Sequence, residues 1–371
     1  MKKKILPLLL ITAMTLSGCA AGTTGSYSTK VKTSEEQILS SAQFGSGDAV
    51  KDVGGTTKKD TEKKDTSKND SDSKADQASS GSAPNVWFIN NANGIGWSAA
   101  LTSSMNATFD TDKYDYTFVD GQGKFEVQIE AMKNAIADKA EVICLDPIQE
   151  DGFDDVLKEA KEAGCKVFLV DRKVSADESL YEGWLGSNFD LEGENAGKWL
   201  VKQAKGKKMN IVVLQGGKGA SAQIGRHDGF NRIIKKNKNF KILAEEMADF
   251  DKAKAKTLMS KYLDKYGKKI NVIVTHNDTM CYGVIETLKE KKIDPNKYII
   301  ISFDGEAEVF KLMVDKAKVD LCVECNPLLG PATEKLVAKM VAGEKIDKTN
   351  YVDEGVFTAD MAAKELPNRQ Y

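Results

Sequence analysis

From residue 85 onward, short runs rich in Val, Ile and Phe alternate with longer stretches whose apolar residues recur every three or four positions. No other feature restricts the possible folds as strongly. The apolar runs are VWFIN (86–90), YDYTFVD (114–120), EVICLD (141–146), CKVFLVD (165–171), NIVVLQG (210–216), NVIVTHND (271–278), YIIISFDG (298–305) and VDLCVE (319–324). Between them, stretches such as VQIEAMKNAIADKA, FDDVLKEAKEAG and AKTLMSKYLDKYG carry helical spacing. Strand–helix alternation predicts an α/β fold with parallel sheets covered by helices on both faces. The length suffices for two such lobes, one before and one after about Ser187, with a cleft between them.

Polar residues fall mostly where the runs end: Asp120, Asp146, Asp171 beside Arg172, Gln215, Asn277 beside Asp278, Asp304 before Gly305, and Glu324. In open parallel sheets, ligands bind beyond the carboxyl ends of the strands, so these side chains converge on one crevice. Singly, each has a plainer explanation as a helix N-cap; together they predict a polar ligand site. Carboxylates, amides and the planar Arg fork suit neighbouring hydroxyls, and an aromatic plate suits the C–H face of a sugar ring. Trp97, set among glycines in NNANGIGWSAA, and Phe250, in ADFDKAK, are the expected plates, with Asn93 and Ser98 as further contacts.

Other chemistries lack support. A net charge of -2 offers no basic patch for nucleic acid. Gly217, Gly219 and Ala222 form G-x-G-x-x-A, half of a dinucleotide fingerprint without its acidic ribose partner. No G-x-S-x-G, H-E-x-x-H or P-loop lysine is present, so no enzyme activity and no cofactor are expected. With only His227 and His276 and one C-x-x-C (Cys322, Cys325), no metal site is expected. Cys144, Cys165, Cys281, Cys322 and Cys325 read as structural thiols, with a disulfide left open.

The first residues, MKKKILPLLLITAMTLSGCAAG, run basic, then apolar, then small, the order of an export signal. Leu16-Ser17-Gly18-Cys19 matches a bacterial lipobox, which predicts a signal peptide over 1–18, a lipid on Cys19 and attachment to the outer side of the cell membrane. Residues 19–84 are Ser, Thr, Gly, Lys and Asp with few aromatics, the composition of a near-neutral disordered tether.

The motifs FLVDR (168–172), LQGGKGASAQIGRHDGF (214–230), ADFDKAK (248–254), THNDTM (275–280), SFDG (302–305) and VECNPLLGPA (323–332) occur in that order. Through them the chain resembles the type I periplasmic sugar-binding proteins of ABC transporters, and among these the galactofuranose-binding branch. The resemblance implies two Rossmann-like lobes, 85–187 plus 325–351 and 188–324 plus 352–371, joined by three hinge crossings near Ser187, Cys325 and Tyr351. It implies a monomer that closes on a galactofuranose- or galactose-like monosaccharide and presents it to permease subunits. Carried over by motif, Trp97, Asp146, Asp171 and Arg172 would be first-lobe ligands; Arg226, Asn277 and Asp304 would be second-lobe ligands, with Glu324 near a hinge. Where that branch carries Trp-Arg at its first helix, this chain has Trp97-Ser98, which brings a pentose or a galactopyranose into consideration. A repressor of the same fold would need an N-terminal helix-turn-helix, which is not found. A sugar sensor that presents its ligand to a membrane receptor stands as the alternative, and a secreted sugar-active enzyme ranks last.

Overall fold

The computed structural model describes residues 31–32, 82–94, 96–315 and 319–371. The expected signal segment, Cys19 and all of the expected tether except Val31, Lys32 and its last three residues lie outside the described residues.

A two-residue strand, β1 (Val31–Lys32), precedes the main body. The first lobe then runs β2 (Asn85–Ile89), α1 (Trp97–Phe109), β3 (Asp115–Val119), α2 (Phe125–Ala137), β4 (Val142–Leu145), α3 (Asp154–Glu162), β5 (Lys166–Val170) and β6 (Gly183–Gly186). The second runs α4 (Phe189–Ala204), β7 (Met209–Gln215), α5 (Ser221–Ile234), β8 (Phe240–Met247), α6 (Lys252–Tyr266) and β9 (Val272–Thr275). It continues through α7 (Asp278–Glu290), β10 (Ile299–Asp304), α8 (Ala307–Val314) and β11 (Leu321–Glu324). The chain then returns to the first lobe for α9 (Gly330–Val341) and β12 (Thr349–Val352), and ends in the second with β13 (Val356–Thr358) and α10 (Ala359–Glu365).

The first sheet has the order β1-β12-β6-β5-β4-β2-β3 and the second β13-β11-β10-β9-β7-β8. Every pairing is parallel except β1 with β12 and β13 with β11. Parallel strands need crossovers that cover both faces, and alternation along each strand shows it. In the first sheet Ile89, Ile143, Leu145 and Leu169 face one core, while Val86, Phe88, Cys144 and Phe168 face the other. In the second, Val212 and Ile273 divide from Val213, Val272 and Val274 in the same way. The five described cysteines are buried and free, two of them inside strands β4 and β11 as the apolar runs implied.

The chain passes between the sheets three times: after Gly186, after Glu324, and between Val352 and Val356. The carboxyl ends of both sets of parallel strands face the space between the lobes, which places the strand-end residues at its walls.

Candidate functional site

That space is an open cleft of about 660 Å³. Asn91, Trp97, Ser98, Gln149, Asp171 and Arg172 line it from the first lobe; Phe189, Arg226, Phe250, Asn277 and Asp304 line it from the second, with Cys325 at a crossing. Phe189, Ala222 and Cys325 form a small apolar cluster against which Trp97 and Phe250 pack, giving the polar cleft one apolar wall drawn from both lobes. The Arg172 guanidinium stands 5.4 Å from the centre of the Phe250 ring.

Arg226 is the best-held polar side chain. Its Nε donates to Glu192 Oε2 (2.6 Å), one Nη to the His276 carbonyl (2.5 Å) and the other to Asp304 Oδ1 (3.3 Å). The pair with Glu192 requires α4 and α5 to approach until their backbones touch. A Cβ on Gly229 would lie 2.0 Å from the Asp190 carbonyl, so only glycine fits there. Asp304 is fixed from behind: Asp278 Oδ2 accepts from the amides of Gly305 (2.9 Å) and Glu306 (2.8 Å), shaping the turn that follows β10.

Across the cleft, Asp171 is buried and its Oδ1 has no hydrogen-bond partner among the described residues, while Arg172 Nε lies 3.7 Å from Oδ2. Burial pushes the Asp171 carboxyl up to about 6, against the pull of Arg172 and Arg226. Asp146, behind it, is pushed up to about 8 by burial and then by the Asp171 charge. Glu192 rises to about 7 through burial, opposed by Arg226. Asp171, Asp249, Phe250 and Asp304 all line the cleft with positive φ (61°, 54°, 58° and 108°), conformations that side-chain-bearing residues seldom adopt and that cluster at ligand sites.

Of the residues expected from sequence, the cleft gathers Trp97, Ser98, Asp171, Arg172, Arg226, Phe250, Asn277 and Asp304. Asn277 also caps α7, its Oδ1 accepting from the Met280 amide at 2.9 Å, so the plain capping explanation and the cleft position hold together. Asp146, Asn93 and Glu324 stand off the lining. Asp146 accepts from the Asn91 side chain one layer back (2.5 Å). Asn93 is engaged through its backbone, its amide donating to Asp120 Oδ1 at 2.9 Å. Glu324 turns toward the chain end, accepting from Arg369 Nη1 (2.6 Å) and the Gly355 amide (2.7 Å) beside two of the crossings. Asp278, expected among the strand-end groups, stands behind Asp304 and off the lining. Asn91, Phe189, Glu192 and Glu306 were missed by sequence reasoning. Their partners lie far off in the chain; the nearest available signal was the glycine spacing of α4 and α5.

The lobes also touch directly. Glu150 N donates to the Gly219 carbonyl (2.9 Å), and Lys173 N to Ser221 Oγ (3.1 Å). Glu306 Oε1 accepts from the Trp97 amide (3.0 Å), at the first residue of α1, while its Oε2 accepts from Tyr282 OH (2.8 Å). Within G-x-G-x-x-A, Gly219 thus serves lobe contact, holding φ +82° with its carbonyl turned to the opposite lobe.

Comparison with known proteins fits this arrangement. Residues 86–345 match a family described as periplasmic binding protein domain. The galactofuranose-binding protein YtfQ of Escherichia coli (strain K12) is 35% identical over 280 residues, covering 74% of this chain and 88% of that one. Among solved structures, the periplasmic binding protein component of the arabinose ABC transporter from Shewanella sp. ANA-3, bound to α- and β-L-arabinofuranose, shares 33% identity at a TM-score of 0.73, covering 77% of this chain and 95% of that one. A protein from Mycobacterium smegmatis in complex with β-D-fucofuranose shares 34% identity at a TM-score of 0.75, covering 78% and 96%.

Proposed function

The chain belongs to the periplasmic binding protein family, and from that premise we propose that it is the extracytoplasmic receptor of an ABC importer, capturing a monosaccharide between its lobes. One observation carries this: two charged groups from each lobe, Asp171 with Arg172 and Arg226 with Asp304, meet Asn277 over an apolar wall of Trp97, Phe189 and Phe250. Such a surface offers fixed donors and acceptors to ring hydroxyls and a plate to the ring itself. Asp171 in particular presents an oxygen that no group among the described residues satisfies.

The five-membered ring form is our first candidate ligand, supported by the furanose sugars named for the three relatives above. Galactofuranose heads the candidates, with arabinofuranose next because Ser98 lends the first lobe no charged fork. A furanose is a minor species of dissolved galactose, so the measured affinity for total sugar is scaled down by that fraction. Retention at the membrane would come from a lipid on Cys19, which the lipobox supports.

Calorimetry with galactose, arabinose, fucose and ribose, followed by carbon NMR of the bound sugar, tests the reading. We expect galactose or arabinose to bind with only furanose signals in the bound fraction. Pyranose signals alone would refute the ring form, and a panel without binding would refute the sugar-receptor function.

A further inference from the structure

The far ends of the two lobes carry opposite charge. In the second lobe, the loops preceding β7, β8, β9 and β10 lie together at the end of the sheet away from the cleft. Asn239 Nδ2 donates to the Gly206 carbonyl (2.9 Å), and Asn210 Nδ2 to the Lys269 carbonyl (2.8 Å). These loops hold three lysines at 205–208, three at 235–239, two at 267–271 and three at 291–298, against the single acid Asp294. All of the lysines are exposed, and among the described residues only Lys291 forms an ion pair, with Asp264 at 3.1 Å. In sequence, 315–320 between α8 and β11 adds two Lys and two Asp, and Asp360, just after β13 at the same end, adds one acid, which leaves the end strongly basic. At the corresponding end of the first lobe, residues 110–114, 138–141 and 177–182 hold Lys113 and Lys139 against seven acids.

Helix chemistry does not account for the difference. Lysine is favoured at a helix C-terminus by the macrodipole, and Lys205, Lys235 and Lys291 are the C-caps of α4, α5 and α7. Yet α1 and α2 end in the same direction on Asp110 and Asp138, against that preference. The asymmetry belongs to the lobes rather than to their helices, and the net charge of -2, from which no basic patch was expected, conceals one.

We infer that the basic end of the second lobe is a contact surface for an anionic phospholipid bilayer, setting how the receptor stands on the membrane between encounters with its importer. The choice of a bilayer rests on the Cys19 lipid-anchor reading, which keeps the body near one. Each lysine near an anionic surface adds attraction that fades within a Debye length of about 8 Å at physiological salt, so a cluster on one end favours that end facing down. The acidic end of the first lobe is repelled by the same surface.

The test uses the chain from Ala20 onward, which retains every described residue and lacks the acyl-accepting cysteine. It is floated with vesicles of phosphatidylcholine, with and without phosphatidylglycerol, over a salt series. We expect binding only to the anionic vesicles, weakening as salt rises. The triple variant Lys207→Glu, Lys208→Glu, Lys236→Glu should lose about tenfold or more in vesicle affinity. The variant Lys124→Glu, Lys133→Glu, Lys139→Glu, equal in net charge but altered in the first lobe, should bind as the parent does. Equal binding to both vesicle types, or indifference to the second-lobe reversal, overturns the proposal. So does salt-sensitive self-association in the ultracentrifuge without vesicle binding, which would make a second copy the partner. Sugar calorimetry on the same proteins separates this result from the receptor function, since either can fail alone.

Discussion

At the scale of single residues, Asp171 and Arg226 separate ligand contact from structural support. Asp171 has a folded-state pKa of about 6 against an ordinary 3.8. Its contribution to the stability of the unliganded protein is therefore present in full below about pH 3.8 and is lost as pH rises through 6, on the order of 3 kcal/mol. Sugar affinity should run the other way, weakening as pH falls below about 6, because hydroxyls donate best to the ionised carboxylate. Asp171→Asn should flatten both trends, seen by urea unfolding and by calorimetry between pH 4 and 8. Arg226→Met should instead lower unliganded stability by about 3–5 kcal/mol, since Glu192 and Asp304 would be left buried without their cation. An unchanged urea midpoint would show that these carboxyls are neutral and that the arginine serves the ligand alone.

Among elements, the contact that joins helix α1 to the turn after β10 ties the state of one lobe to the other. Glu306 carries its carboxylate to the amide end of α1, where negative charge is favoured, and it can do so only with the lobes together. Glu306→Gln should weaken sugar affinity about tenfold, the scale of a charge-assisted hydrogen bond, with little change in unliganded melting. Gly96→Ala should be more damaging: its φ is +60° and the new Cβ would lie 2.3 Å from Glu306 Oε1, so small-angle scattering should show a wider molecule in saturating sugar. The period of the apolar runs made the strands and their polar ends legible from sequence, because buried parallel strands tolerate few other patterns. The direction of each end residue was not. Glu324 and Asp304 both close strands of the same sheet, yet one faces the chain end and the other the cleft, through partners 45 and 78 residues away. Glu306 was beyond sequence reasoning for the same cause: its contact to Trp97 spans 209 positions and follows no local pattern.

For the whole molecule, Cys19→Ala should move the protein from the membrane fraction to the soluble one on cell fractionation, and retention would point to another anchor. The two lobes keep their apolar cores in the strand interiors and on the helix faces, while the cleft is built mostly from the strand ends, the loops that follow them and the first turns of the next helices, with Arg226 reaching in from α5. A substitution at Ser98, Gln149 or Asn277 changes what the cleft can grip without opening a hole in any core. Scaffold and diet are thus separable under selection: a lineage bearing this fold can change which nutrient it gathers by altering a few cleft residues beyond the strands one at a time. Arg226, held by both Glu192 and Asp304, should be among the slowest of the cleft residues to drift.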